Sequence, residues 1–353
     1  MQLKHLEQNL LANYHRAVRS LPRRVGFCVN DWSMGMGLNF ALIGVGGFVA
    51  PRHLQAIHDS GNHLVAALDR NDSVGILDRY FMDTPFFVEF ERFDRHAEKL
   101  RRGAPEHRIQ WVSICSPNYL HDAHIRFALR IGAHVICEKP LVLTPWNLDA
   151  ISSLEAESGR RVFNILQLRL HPAVLDLKAR MAQSQPDTVH EVDLTYLTAR
   201  GPWYQVSWKG DPSKSGGVAM NIGVHFFDML QWIFGPVRGF QVQYQDAQRS
   251  AGHLDLVRAR VRWFLSVNPG DLPTEALAAG HASYRSLLVD GERFEFSDGF
   301  SDLHTAVYRD ILSGGGYGVE DARPSVELAH QIRHATPAET RETALAAFRP
   351  NPA

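Results

Sequence analysis

The chain has 353 residues, 45% of them hydrophobic and 21% charged, enough for two domains around a sizeable core. A formal net charge of −1 gives no general field for nucleic acid or an anionic membrane, so any anionic ligand must be held by local charge. The three cysteines, Cys28, Cys115 and Cys137, have no metal-binding spacing, and no apolar run reaches the roughly 20 residues of a membrane span, so a reduced, cytoplasmic protein without a metal is expected.

Residues 1–36 precede the first strand pattern and contain no signal-peptide core. We take Met34 or Met36 as the natural start and the upstream residues as a mis-assigned or accessory extension; a chain starting at Met36 is expected to fold and keep full activity. A short apolar run, Phe40 to Ile43, then meets Gly44, Gly46 and Gly47, and a helix pattern follows from Pro51 to Ser60-Gly61. This is the strand, tight turn and helix start of a dinucleotide-binding unit, where residues without Cβ atoms let backbone N–H groups approach a pyrophosphate. Val49 occupies the third glycine place of G-x-G-x-x-G, which leaves the closeness of helix and sheet open. His63 to Asp69 is a second strand ending in an acid, either a partner for adenosine ribose hydroxyls or a cap on a turn.

A short strand at 86–88, a helix at 93–102, a strand at 111–117 and a helix to Arg130 follow. Ala133 to Cys137 is another strand, ending in Glu138-Lys139-Pro140; Thr144 then caps a helix that Gly159 closes, and Arg161 to Gln167 is the last strand of this half. Strands alternating with helices predict a parallel sheet covered on both faces, with ligands off the C-terminal strand ends. The glycine turn, Asp69, Ser116-Pro117-Asn118 and Glu138-Lys139-Pro140 all fall there. After residue 170 come a helix at 172–183, a strand at 190–198, a Gly-, Trp- and Ser-rich loop at 200–217, a helix at 226–234, strands at 239–245, 255–266 and 284–289, an Asp290-Gly291 hairpin turn, and helices at 302–312 and 323–334. The organisation expected is an extension at 1–36, a doubly wound nucleotide domain at 37–160, an α+β domain with an open, mostly antiparallel sheet at 161–336, and a fraying tail at 337–353.

Glu138-Lys139-Pro140, with Ser116-Pro117-Asn118-x-x-His121 upstream and Gly216-Gly217…Asn221-x-x-x-His225-x-x-Asp228 downstream, resembles the glucose–fructose oxidoreductase/inositol dehydrogenase (Gfo/Idh/MocA) family over residues 38–335. Ala50-Pro51-Arg52-His53, Leu166 to Pro172 and Ser207-Trp208-Lys209-Gly210 look like the bacterial UDP-N-acetylglucosaminuronate 3-dehydrogenases of surface-polysaccharide (lipopolysaccharide O-antigen) synthesis. The resemblance implies a Rossmann domain binding NAD through Gly44, Gly46, Gly47, Phe48, Val49, Asp69, Ser116, Pro117, Asn118, His121, Glu138, Lys139 and Gln167. It implies oxidation of a sugar C3 hydroxyl with Lys139 or His225 as base, in some relatives with 2-oxoglutarate reoxidising the bound cofactor, in a homodimer or homotetramer.

Substrate contacts fall to Lys139, Arg169, His171, Tyr204, Lys209, Asn221 and His225. Gln167 and Arg169 share a face if their segment is a strand, and Arg169 is either a diphosphate partner or an interdomain salt bridge. Many relatives carry Asp at the Asn221 position; the amide cannot stabilise an imidazolium, so His225 is expected to be the weaker base. Trp203 and Trp208 are sugar platforms or subunit contacts. The other readings are a dehydrogenase of a free sugar, inositol or another nucleotide sugar, and a non-catalytic NAD- or sugar-binding regulator.

Overall fold

The computed structural model describes residues 37–295, 302–338, 345, 347 and 348. The extension at 1–36, with Cys28, and most of the 337–353 tail lie outside these residues. The first half is built on a parallel sheet of β1 (Asn39–Ile43), β2 (His63–Leu68), β3 (Phe86–Phe87), β4 (Trp111–Ile114), β5 (His134–Cys137) and β6 (Val162–Asn164). Their spatial order is β3-β2-β1-β4-β5-β6, so the order reverses beside β1, at the glycine turn. Helices α1 (Ala50–Asp59), α2 (Phe90–Arg102), α3 (His121–Arg130) and α4 (Pro145–Ser158) cover the sheet. Phe40, Ala41, Leu42 and Ile43 are all buried, which is why β1 reads as a continuous apolar run rather than an alternation. β6 lies past residue 160, where this half was expected to end.

The second half contains α5 (Pro172–Gln183), β7 (His190–Thr198), α6 (Val224–Phe234), β8 (Val237–Gln245), β9 (Arg249–Leu256), β10 (Ala259–Ser266), β11 (Ser283–Val289) and β12 (Glu292–Phe294). The sheet runs β12-β11-β7-β10-β9-β8; only the central β7–β10 pair is parallel, as expected of a mostly antiparallel sheet. Asp290 and Gly291 take φ of +54° and +82°, the turn expected between β11 and β12. Two last helices, α7 (Leu303–Leu312) and α8 (Val319–His334), return towards the first half, and Val307, Tyr308 and Ile311 of α7 join the core around α1.

Five local expectations are corrected. The strand expected at 255–266 is two strands, because Val257 and Arg258 turn the chain, their N–H groups bonded to Pro236 O and Phe234 O at the end of α6. Residues Gln167–Leu170 form a 3₁₀ turn, so the shared strand face of Gln167 and Arg169 does not exist. Thr144 precedes α4 with extended backbone, but its buried Oγ1 has no hydrogen bond among the described residues. α8 starts at Val319 rather than 323: the Asp321 carboxylate accepts Gly318 N–H at 3.0 Å, and Pro324 is carried inside the helix. In the tail expected to fray, Leu345 and Phe348 are buried against Leu197, Tyr244 and Phe264.

Candidate functional site

β1 delivers the chain into Gly44 at φ +93°, where a Cβ would stand 2.6 Å from the backbone of Cys115 and Ser116. The turn thus lies directly against the end of β4. Gly46 N–H and Asn71 N–H each donate to a different oxygen of Asp69 at 2.9 Å, fixing that carboxylate beside the turn. Val49 takes an ordinary φ of −92° at the start of α1 and packs against the core there, so no third glycine is required. Phe48 is 79% exposed at the tip of the turn.

Glu138, at the end of β5, is buried. Its Oε1 accepts Nε2–H from His304 at 2.7 Å and from His53 at 3.1 Å. Burial would raise this carboxyl; the bonds from His304 and His53 outweigh burial and hold it well below the carboxylate range. Because His53 donates from Nε2, its neutral Nδ1 accepts Tyr308 O–H at 2.7 Å, and Tyr308 in turn bonds Ser113 Oγ at 2.6 Å. Burial lowers His53 despite Glu138. By composition His53, Glu138 and His304 could hold a metal ion, but their donor atoms face one another at hydrogen-bond distance.

Glu138 Oε2 also accepts the Lys139 backbone N–H at 3.2 Å. Lys139 Nζ donates to Asn221 O at 3.2 Å, crossing from the first half to the second. Burial pulls Lys139 below the usual lysine range; Glu138 opposes this, and Arg200 and Arg52 add to it. His121 is fully buried, with Nδ1 2.8 Å from Pro140 O and Nε2 2.9 Å from Ser116 O. This corrects its expected cofactor contact: the fully buried ring is wedged between the two turns that flank the cleft, its single N–H donating to one of the two carbonyls.

Asn118 Nδ2 donates to Ser215 O at 3.0 Å and to Asn221 Oδ1 at 3.3 Å, and Asn221 Nδ2 donates to Tyr204 O–H at 2.6 Å. The segment Ala219–Gly223 is a π-helical turn running into α6, so Asn221 and His225 are separated by a wider turn than the α-helical spacing expected. His225 Nδ1 is buried without a hydrogen bond among the described residues. Burial, then Lys139 and Arg285, hold its imidazole well below the usual histidine range, against a weaker pull from Glu138. Lys209 Nζ lies over the rings of Trp208 at 4.9 Å and Trp203 at 5.2 Å.

Arg169 is a correction. Its guanidinium is bidentate to Asp228 at 2.6 and 2.9 Å, donates to Asp321 O at 2.9 Å and lies 4.7 Å over the Tyr317 ring. A cation fully engaged by a buried carboxylate has no fork left for a diphosphate; the salt-bridge alternative holds. His171 is buried at the start of α5.

The family model described as the oxidoreductase family, NAD-binding Rossmann fold, matches residues 38–165, and that of the family's C-terminal α/β domain matches residues 185–263. The WlbA (WbpB) dehydrogenase of Thermus thermophilus, crystallised with NAD and UDP-GlcNAcA and also with NAD and alpha-ketoglutarate, is 46% identical, with a TM-score of 0.82 over 87% of this chain and 98% of that one. The chain belongs to the Gfo/Idh/MocA oxidoreductase family. Among curated relatives, the D-glucoside 3-dehydrogenase of Escherichia coli is 28% identical over 40% of this chain and 42% of its own length. The 1,5-anhydro-D-fructose reductase of Ensifer adhaerens is 25% identical over 68% of both chains. The WlbA dehydrogenase of Bordetella pertussis, at 19% identity and a TM-score of 0.67, shares the fold.

NAD is the cofactor of this Gfo/Idh/MocA oxidoreductase, and the residues present fit it. A Cβ at Gly44 would collide with the Cys115–Ser116 backbone and one at Gly46 would crowd the Asp69 carboxylate, so the turn stays tight against β4 with Asp69 at the second strand end, and Gln167 Oε1 is a buried acceptor with no partner among the described residues. Several groups were missed in the sequence: His53, His304 and Tyr308 around Glu138, and the cations Arg52, Arg200 and Arg333. Nothing in local spacing joins positions 53, 138 and 304; only the packing of α7 on α1 does.

Proposed function

We propose that this oxidoreductase oxidises the C3 hydroxyl of a UDP-N-acetylhexosaminuronate to the 3-ketone. The observation that carries the chemistry is Lys139 reaching across the cleft to Asn221 O, with His225, whose Nδ1 has no hydrogen bond among the described residues, near enough for the Lys139 charge to act on it. NAD, when bound, supplies the acceptor for the hydride from C3. The chain's own task is to orient the hydroxyl and take its proton. Lys139 Nζ, lowered by burial, offers a neutral amine near physiological pH more readily than an exposed lysine. His225, kept neutral, offers Nδ1. Asn221, held by Tyr204 and Asn118, fixes the backbone carbonyl that aims Lys139.

The choice of sugar nucleotide is supported by likeness to the Thermus protein crystallised with UDP-GlcNAcA, and 2-oxoglutarate as the oxidant of the reduced cofactor by its complex with alpha-ketoglutarate. A cytoplasmic role in surface-polysaccharide (lipopolysaccharide O-antigen) synthesis, before an aminotransferase, belongs to the same reading. So does a homodimer or homotetramer assembled on the open face of the second sheet. No helix among the described residues is long and apolar enough to cross a membrane. A second reading, oxidation of a free glycoside at C3, is favoured by the likeness to D-glucoside 3-dehydrogenase. Comparing kcat/KM for UDP-GlcNAcA, UDP-GlcNAc, methyl glucoside and inositol separates the two. The proposal expects UDP-GlcNAcA to lead by orders of magnitude; a leading methyl glucoside refutes it.

A further inference from the structure

Behind Tyr204 lies a cavity of about 150 Å³ that the proposed reaction does not yet use. Tyr204 forms part of its wall, and through the Tyr204–Asn221–Lys139 hydrogen bonds it is two side chains from the reacting group. Two cations line it: Lys209, between the short helices Pro202–Val206 and Pro212–Ser215 that replace the loop expected at 200–217, and Arg333 from the last turn of α8. Neither has an ion-pair partner among the described residues. Asp211, the acid whose charge bears on Arg333, is 3.2 Å from Lys214 and accepts Ser213 N–H. Asp246 also lines the cavity, but it is engaged by Tyr244 O–H and by the backbone N–H groups of Gln248 and Arg249. Lys209 and Arg333, both partly buried, thus line one small space, and no carboxylate among the described residues is paired with either. Burial lowers both, and Arg200 and Lys139 add to the effect on Lys209.

We infer that this cavity is an oxyanion subsite of the active centre, in which Arg333 and Lys209 bind a carboxylate or phosphate group of the substrate while the hydroxyl-bearing carbon lies at Lys139. The volume suits one such group and not a whole nucleotide. The arginine offers a planar fork and the lysine a single strong donor, a pairing suited to two oxygens of one group. This inference rests on the sugar-nucleotide reading and deepens it, since a free glycoside or inositol has no anion to place there. It also accounts for a dehydrogenase that accepts both a uronate and a 2-oxoacid: each carries a carboxylate a short distance from the carbon that loses or gains hydride.

The test uses the full chain with NAD bound. KM and kcat for UDP-GlcNAcA are measured in wild type, Arg333→Gln, Arg333→Lys and Lys209→Gln, together with affinities for UDP-GlcNAc, UDP and 2-oxoglutarate. Removing one charged donor is expected to raise KM for UDP-GlcNAcA about 10-fold or more, with kcat changed far less in Arg333→Gln and with part of the loss restored in Arg333→Lys. NAD affinity, unchanged in all three variants, reports an intact fold. If the cavity takes the carboxylate, UDP-GlcNAc and UDP bind the variants as they bind wild type, and 2-oxoglutarate weakens. If it takes a phosphate, UDP-GlcNAc and UDP weaken and 2-oxoglutarate does not. Unchanged KM for UDP-GlcNAcA and unchanged affinities for the other three ligands overturn the inference. Failure of the underlying reading shows differently, as wild-type protein that neither binds nor oxidises UDP-GlcNAcA; that result removes the inference as well.

Discussion

In the proposed reaction Lys139 and His225 are assigned the chemistry because little else competes for them. Lys139 Nζ has one bond, to a backbone carbonyl, and His225 Nδ1 has none among the described residues. Loss of a proton-transfer group typically costs about 10²–10⁴-fold in rate. The profile of kcat/KM against pH decides between the two. With Lys139 as base, activity rises with pH and levels off below the ordinary lysine value, because burial has lowered it. Lys139→Met then removes that rise, while His225→Asn keeps it. Near wild-type turnover in both variants would contradict the site. The residues of this pair were legible because Glu138-Lys139-Pro140 and Asn221-x-x-x-His225 are sequence patterns. The clamp of His53 and His304 on Glu138 was not, because those residues come from α1 and α7, and no short-range pattern announces that two such helices meet.

At the level of elements, Arg169 ties the 3₁₀ turn after β6 to α6 through Asp228 and to α8 through Asp321. Breaking a buried pair strands the other charge, at a cost of about 3–5 kcal/mol. Arg169→Met is therefore expected to lower Tm sharply with little change in KM for the UDP-sugar, and Asp228→Leu in the same chain to restore part of the loss. A raised KM at unchanged Tm would instead return Arg169 to the substrate. α3 supplies a second test. His124, on its buried face, stacks on Phe90, bonds Ser116 Oγ, and is brought down to about 4 by burial. The unfolded chain binds a proton there near 6.5 and the folded chain only near 4, so this contribution is complete above about 6.5 and shrinks as pH falls towards 4. Tm is expected to fall over that window, and less steeply in His124→Gln; equal slopes would remove His124 as a cause. Strand and helix positions in both halves followed from periodicity. Among the places that did not are ones where tertiary contact overrides local pattern: the Val257-Arg258 turn pinned to the end of α6, the 3₁₀ turn at 167–170 tied to α6 through Arg169, and the π-helical turn at 219–223.

Across the whole molecule, the parallel sheet offers NAD its strand ends, and the second half brings Asn221 to Lys139 and Tyr204 to Asn221. Asn118 to Ser215 and Lys139 to Asn221 cross between the halves, so the site exists only where the two meet. The two-half architecture was readable from alternating strands and helices giving way to alternating polar strands. The return of α7 to the first half was not, because chain order alone does not say which sheet a late helix will cover. The most direct measurement is to incubate the purified protein with UDP-N-acetylglucosaminuronate, NAD and 2-oxoglutarate and to identify products by mass spectrometry. A 3-keto UDP-sugar two hydrogens lighter than the substrate, with an equal amount of 2-hydroxyglutarate, is the predicted result. An unchanged UDP-sugar and no 2-hydroxyglutarate, from protein that binds NAD tightly, would contradict it and return the chain to the role of a cofactor-binding regulator.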